Sequence, residues 1–359
     1  MVRKICLFLI GIGFIISSNA QDTAQAAPPE TTITGSVDAY YKYDFNNPQS
    51  PPYNTYTSFT KSQNSFELGM ANVKFEYQPK NLDLVADIGF GQREKEFAYN
   101  DNGITQAIKQ LYVSYSPSSW LKLTAGSWAT HVNWELADAY ANRNYSMSYL
   151  FTIGPFSHTG VRADITANSK NTFMVGLSNA TDYRSVPDGQ IKKKFLLAQY
   201  AFSPSDKVKL YLNYVGGQAP DTSKSNLGNL IITAAVSKKF NVVYNGILAS
   251  TNQWNGLKNT SGKTWWGSAL YLNYDPEDWC GLTLRGEYFN DDNQLNLFAS
   301  QPTGGNVFST TLSANFKVDK FILIPELRFD NASQEIFFKN DGSATKSFSS
   351  FLVAAVFTF

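Results

Sequence analysis

Charged residues recur on a single parity along several stretches of this chain. Asp38, Lys42 and Asp44 share one, as do Lys74 with Glu76, Asp83 with Asp87, Arg162 with Asp164, Arg285 with Glu287, and Glu326 with Arg328 and Asp330. Side chains spaced this way project from one face of an extended strand. Such a face can hold water, hydrated ions and polar solutes, but it makes and breaks no bonds. Groups suited to covalent chemistry are few. The two histidines, His131 and His158, and the two cysteines, Cys6 and Cys280, are too few to ligate a structural or catalytic zinc. Ser157 stands beside His158, yet neighbouring strand residues point to opposite faces, and a nucleophile must meet its base within hydrogen-bond reach. Gly216-Gly217 and Gly304-Gly305 lead into neither a helix nor a lysine at phosphate-loop spacing. The chain therefore reads as a non-enzyme that calls for no cofactor and no metal.

The elements that carry these charges are apolar on their other face. In ITGSVDAYYKYDF, Ile33, Gly35, Val37, Ala39, Tyr41, Tyr43 and Phe45 take one parity, opposite Asp38, Lys42 and Asp44. Leu82, Leu84, Ala86, Ile88 and Phe90 repeat the device, as do Val161, Ala163 and Ile165, and Phe321, Leu323, Pro325, Leu327 and Phe329. In SSFLVAAVFTF the residues Phe351, Val353, Ala355, Phe357 and Phe359 continue it to the last position. Strict alternation over ten or more residues marks long strands with one greasy face.

Bulk properties narrow the class. Charged residues make up 16% of the 359, against about 25% in ordinary soluble domains. Beyond residue 20, no apolar run approaches the roughly 18 residues of a membrane-spanning helix. Residues 1–20 carry Arg3 and Lys4, an apolar core from Ile5 to Ile16 and the small-residue site Ser18-Asn19-Ala20. This is the pattern of a secretory signal peptide cleaved after Ala20. Removing Arg3 and Lys4 with it leaves 28 basic against 29 acidic residues, which argues against nucleic acid as a partner. Cys280 then has no cysteine with which to pair.

Seven tight breaks, at QPKN, SPSS, ANSKN, SPSD, SKKF, DPED and KVDK, carry the Pro, Asn, Asp and Ser of short turns. They alternate with eight longer polar links near 46–63, 95–104, 130–155, 182–192, 217–228, 251–262, 292–305 and 332–346. That punctuation predicts an all-β meander of about sixteen strands. A sheet this wide is expected to close and so remove its edges. Strands of membrane-crossing length, short turns at one end and long loops at the other describe a closed up-and-down antiparallel transmembrane β-barrel. The expected organisation is a signal peptide over 1–20, a flexible lead over 21–32 and a barrel over 33–359.

With these features in place, the mature chain resembles the β-barrel porin family of OmpL-like type found in Bacteroidetes outer membranes. The most particular stretch of the resemblance is AGSWATHVNWELADAYANRNYSMSYLFTIGPFSHTGVRA, residues 125–163. The resemblance implies an integral outer-membrane barrel whose partners are lipid, small hydrophilic solutes and, through a terminal signal at Phe359, the barrel-assembly machinery. It also implies passive diffusion through a water-filled lumen. Homotrimer and monomer both stay open. So do two alternatives to a general porin: a non-conducting scaffold or partner subunit of an export or attachment assembly, and a channel specific for a sugar or acid.

By analogy with sixteen-stranded general porins, the 130–155 link is the constriction candidate. A short helix over NWELADAYANR would pack Trp134, Leu136, Ala137 and Tyr140 on the wall and turn Glu135, Asp138 and Arg143 to the pore; His158 and Arg162 would line the wall beside it. The remaining lumen wall, read from parity, is Asp38, Lys42, Asp44, Lys74, Glu76, Asp83, Asp87, Lys122, Asp164, Lys209, Arg285, Glu287, Glu326, Arg328 and Asp330. With Arg162 these are seven basic and nine acidic residues, too balanced to fix charge selectivity. A channel as wide as sixteen strands allow holds water that solvates such charges, and mutual pairing that stiffens the wall is the plainer role for most of them. Tyr41, Tyr43, Phe45, Trp266, Tyr274, Phe289 and Phe316 are the expected interfacial aromatics. Tyr40, Tyr112, Trp128 and Tyr211 are the inward ones that a sugar-guiding strip would use.

Overall fold

The computed structural model describes residues 30–190, 192–252 and 260–359. The signal peptide and residues 21–29 of the lead lie outside these. Strand β1 (Glu30–Asp44) begins three residues earlier than the sequence pattern suggests. It is followed by β2 (Ser65–Gln78), β3 (Leu82–Phe90), β4 (Ile108–Ser118), β5 (Leu121–Ala129), β6 (Ser157–Asn168), β7 (Asn171–Ser178), β8 (Phe195–Ser205) and β9 (Val208–Gln218). Next come β10 (Lys224–Ala235), β11 (Phe240–Asn252), β12 (Lys263–Glu277), β13 (Cys280–Asp291), β14 (Gly305–Val318) and β15 (Phe321–Ala332). A two-residue hairpin, β16 (Phe337–Phe338) with β17 (Ala344–Thr345), precedes β18 (Ser347–Thr358). Every neighbouring pair is antiparallel, and β18 pairs with both β15 and β1 to close a barrel of sixteen strands.

All seven tight turns fall where the Pro/Asn/Asp/Ser clusters place them, because those residues adopt the tight backbone that two- to four-residue connections need. Parity sets the two faces. Ile33, Val37, Phe45, Leu82, Leu84, Phe90, Val161, Phe321, Phe329 and Phe357 are exposed on the outside, where lipid covers them. At the seam, the Gly35 amide donates to the Phe359 carbonyl and the Phe359 amide to that of Gly35. The Phe359 ring fills the space a Cβ on Gly35 would take, 2.4 Å from it. A side chain at position 35 would therefore displace the ring from the closing seam.

The interior departs from a water-filled tube. Val243, Ile247, Ala249, Trp265, Ala269 and Phe289 point inward and are buried with Tyr149 and Leu150 of the 130–156 loop in one apolar cluster. Phe289, expected at the lipid interface, lies inside against Tyr149, with ring centroids 5.8 Å apart. Among the described residues no helix is long and apolar enough to cross a membrane; the strands do so.

Candidate functional site

Between β5 and β6 the chain turns into the barrel and tours its wall. The Asn133 amide donates to Asn229 Oδ1 on β10 (3.1 Å), and Glu135 meets Arg285 on β13 (2.5 Å). Asp138 pairs with Lys109 on β4, Arg143 with Asp275 on β12 (2.6 and 2.5 Å), and the Tyr145 hydroxyl donates to Asp38 on β1. The loop then rises through a short helix, α2 (Tyr149–Ile153), whose first turn is capped by the Ser148 hydroxyl accepting from Phe151 N at 3.0 Å. It leaves through a Thr130 N to Phe156 O bond of 2.9 Å. Gly267 on β12 makes room for this helix: a Cβ there would stand 2.4 Å from Leu150 Cδ2.

The lock on the β12–β15, β18 and β1 side is ionic and fully satisfied at the carboxylates. Glu135 accepts from Ser148 N and Oγ (2.8 Å each), Tyr271 Oη (3.1 Å) and Arg285 Nη1. Glu287 accepts the Tyr149 and Leu150 amides at 3.0 and 2.9 Å. Glu326 accepts from Tyr145 N and Ser313 Oγ (2.8 Å each), and Asp330 from Tyr149 Oη (2.7 Å) and Arg328 Nε. Asp38 accepts the Met70 amide at the β1–β2 bulge, its carboxylate lying 1.7 Å from where a Cβ on Gly69 would stand. Charges taken this far from water persist only with opposite charges and hydrogen bonds in place.

The other half of the wall is wet apart from the buried Lys109–Asp87 pair (3.0 Å) on β4 and β3. Lys74–Glu76 (2.8 Å), Lys122–Asp83 (2.5 Å) and Arg162–Asp164 (3.2 Å) pair in partial contact with solvent. Lys209 is exposed beside them, and Tyr112 and Tyr211 are half-buried. Trp134, Leu136 and Tyr140 of the loop are also exposed, facing this inner vestibule. On the outer side, a cavity of about 560 Å³ lies between the loops, with Lys61, Glu96, Thr152 and Thr251 on its rim and Phe195, Val215, Leu227 and Trp265 at its floor. Residues 131–133 form the barrier between the two spaces. There Asn213, Asn229 and Asn245 run as an amide ladder on adjacent strands, bonded at 2.8 and 2.7 Å, and Asn245 Nδ2 donates to Asn133 Oδ1 at 3.1 Å.

Several expectations need correcting. No helix forms over NWELADAYANR; only the 3-10 turn Ala139–Ala141 does. Apart from Ala137, which is buried as expected, the faces are reversed: Glu135, Asp138 and Arg143 are held to the wall while Trp134, Leu136 and Tyr140 meet water. The wall presents Arg285, Lys109 and Asp275 to these residues, and charges inside the lumen left without such partners would be costly. Tyr40 and Trp128 are buried and form no guiding strip. His158 finds Thr130 Oγ1, at 3.1 Å, as its hydroxyl partner, and its Nδ1 has no hydrogen-bond partner to orient it as a base.

Sequence reading missed other site residues. Arg93, in the outer-loop helix α1 (Gln92–Phe97), donates to the Ala137 and Tyr145 carbonyls of the inserted loop. Lys109 is turned inward by a register shift between β3 and β4. The asparagine ladder did carry a signal: its members recur at 16-residue intervals on three successive strands.

A family described as "Putative beta-barrel porin-2, OmpL-like" matches residues 30–359. No curated protein is similar in sequence. The fold is similar to an anion-selective porin from Comamonas acidovorans at 9% identity, covering 92% of this chain and 100% of that one with a TM-score of 0.61. The outer membrane channel DcaP of Acinetobacter baumannii matches at 12% identity over 93% and 99% of the two chains, with a TM-score of 0.60. Vibrio cholerae OmpT in its trimer form matches at 10% identity over 92% and 99%, with a TM-score of 0.57.

Proposed function

The chain belongs to the OmpL-like β-barrel porins, integral proteins of the outer membrane, and on that premise we propose that small hydrophilic solutes diffuse along the β2–β9 side of its lumen. One observation carries this reading: the pairs Lys74–Glu76, Lys122–Asp83 and Arg162–Asp164 and the exposed Lys209 remain in contact with water on this side, where Asp87 and Lys109 are buried, while the charges on the opposite side are sealed under the inserted loop. The size limit then falls at His131–Asn133, where the loop rests on the asparagine ladder. Glu135, Asp138 and Arg143 serve this constriction from behind by holding the loop in place. The wall residues of the wet side set what charge bias there is.

A second reading is favoured by the completeness of the lock. Arg285, Glu287, Arg328 and Asp330 are all buried, as suits a barrel that scaffolds an assembly and does not conduct. Single-channel recording separates the two. The chain from Gln21 to Phe359, refolded into a planar bilayer, is expected to give steady conductance that rises when Asn133–Arg143 is deleted. Silence from both, with folding shown by heat-modifiable mobility, would overturn the diffusion reading. Cross-linking in the membrane, read for a threefold ladder, tests whether the barrel assembles as a trimer.

A further inference from the structure

The two histidines of the sequence meet in the barrier. His131, on the loop, and His158, on β6, have ring centroids 5.2 Å apart. His131 Nε2 lies 3.3 Å from the Tyr214 carbonyl, which can only accept, so Nε2 holds the proton and Nδ1 is bare. Thr130 Oγ1 accepts the Val132 amide, and when its own proton goes to His158 Nε2 the His158 proton sits on Nδ1. That N–H has no partner. Neither has the indole N–H of Trp128 nor the Nε of Arg162, whose guanidinium lies 5.1 Å from the Trp128 ring centroid.

Trp128 and His158 are at most 2% exposed, and each buried N–H left unmade costs about 1–3 kcal/mol. Trp128 and His158 are cross-strand neighbours and Arg162 lies over the Trp128 ring, and several unmade donors on adjacent side chains mark a position that an acceptor fills. The protein supplies little. Asp164 Oδ2 stands 3.2 Å from Arg162 Nε, yet without hydrogen-bond alignment. Towards His131, β8 and β9 present the carbonyls of Ala198 and Tyr214. Arg162 keeps 23% of its side chain open to the inner vestibule, which gives a route in.

We propose that Trp128, His131, His158 and Arg162 form a binding site for a small oxyanion, a carboxylate or inorganic phosphate, at the inner face of the barrier. The guanidinium supplies the charge, and the Trp128 and His158 N–H groups supply direction. Binding is coupled to a proton. Burial holds His131 down to about 4 in the empty site, and an anion beside it restores the protonated form, so each favours the other by linkage. If the bound state returns His131 to its ordinary 6.5, affinity at pH 5 exceeds that at pH 7 by about twentyfold. The site deepens the porin reading, but binding can be read whether or not the barrel conducts.

The test is tryptophan fluorescence of the refolded chain, titrated with formate (ionised throughout this pH range) and separately with phosphate, each against chloride at equal ionic strength. A saturable change is expected with at least one probe; formate alone would assign a carboxylate site, and phosphate alone a phosphate site. The change should vanish in Trp128→Phe and weaken at least tenfold in Arg162→Met. For a carboxylate site, binding should tighten from pH 7 to pH 5 in the parent chain but not in His131→Asn. Absence of saturation in chain shown to be folded by heat-modifiable mobility, or equal affinity in Arg162→Met, would overturn the site.

Discussion

Replacing Glu135 by Gln removes one charge from the lock and almost no volume. The carboxylate accepts four hydrogen bonds, from Arg285, Tyr271 and both the amide and hydroxyl of Ser148. Glutamine keeps one acceptor oxygen and leaves Arg285, fully buried, without its partner. Breaking such a pair costs about 3–5 kcal/mol. Arg285 retains the Ser146 and Met147 carbonyls and Thr311 Oγ1, and Glu287 lies nearby, so the lower end, about 3 kcal/mol, is the expected value. The barrel ladders do not depend on this contact, so the loss falls on the loop. Amide hydrogen exchange at Ser148 and Tyr149 should speed up about 150-fold, while strand amides of β14 and β15 stay unchanged. Exchange at Ser148 within threefold of the parent in Glu135→Gln would refute the idea that this pair holds the loop.

Gly267→Val puts a branched side chain into the space of Leu150, and should tilt α2 away and raise single-channel conductance. Asn229→Leu removes the acceptor of the Asn133 amide and of Asn213 Nδ2; two buried donors left unpaired, at about 1–3 kcal/mol each, should enlarge the solute cut-off in a liposome-swelling assay. Glu94, in α1, has both carboxyl oxygens buried without a hydrogen bond, and burial raises it to about 8. The folded value lies above the ordinary 4.5, so the stability tied to this proton is full below 4.5, declines as pH rises and is gone once pH passes 8. Proteolysis of the 91–107 loop should increase as pH rises from about 5 to 8, level off above that, and lose the dependence in Glu94→Gln.

Strand count, turns and the two faces of β1, β3, β15 and β18 were legible because they depend on alternation and turn chemistry, both local properties. The interior was not, because parity says which face a residue takes and nothing of what fills the space it faces. Glu135, Asp138 and Arg143 read as pore-facing only while their partners on β13, β4 and β12 are unknown, and those contacts join residues up to 150 positions apart. A clue did exist. In NVVYNGILAS of β11 both parities are apolar, with Val242 and Val243 and then Ile247 and Leu248 adjacent. Strands covered on both faces read this way. Here one side meets lipid and the other the inserted loop. Lys109 was beyond reach, since the shifted register that turns it inward leaves no mark in composition.

The two kinds of contact that hold the loop differ in what their loss would expose. On the β12–β15, β18 and β1 side it is fastened by charges, and a wall bearing Arg285, Glu287, Arg328 and Asp330 is readily hydrated once uncovered. On the β10–β12 side Leu150 and Tyr149 cover Val243, Ile247 and Trp265, and uncovering them costs about 25 cal/mol for each Å² of apolar surface. Water can replace a protein partner at a carboxylate; it has nothing to offer an isoleucine. The α2 end is thus the anchor. The 140–143 segment, beyond the Glu135 and Asp138 pairs and with Tyr140 already in water, has the least to lose by moving. Its attachment at Arg143–Asp275 is partly solvated, so it should be the first to release, widening the inner vestibule while the asparagine ladder still holds Asn133.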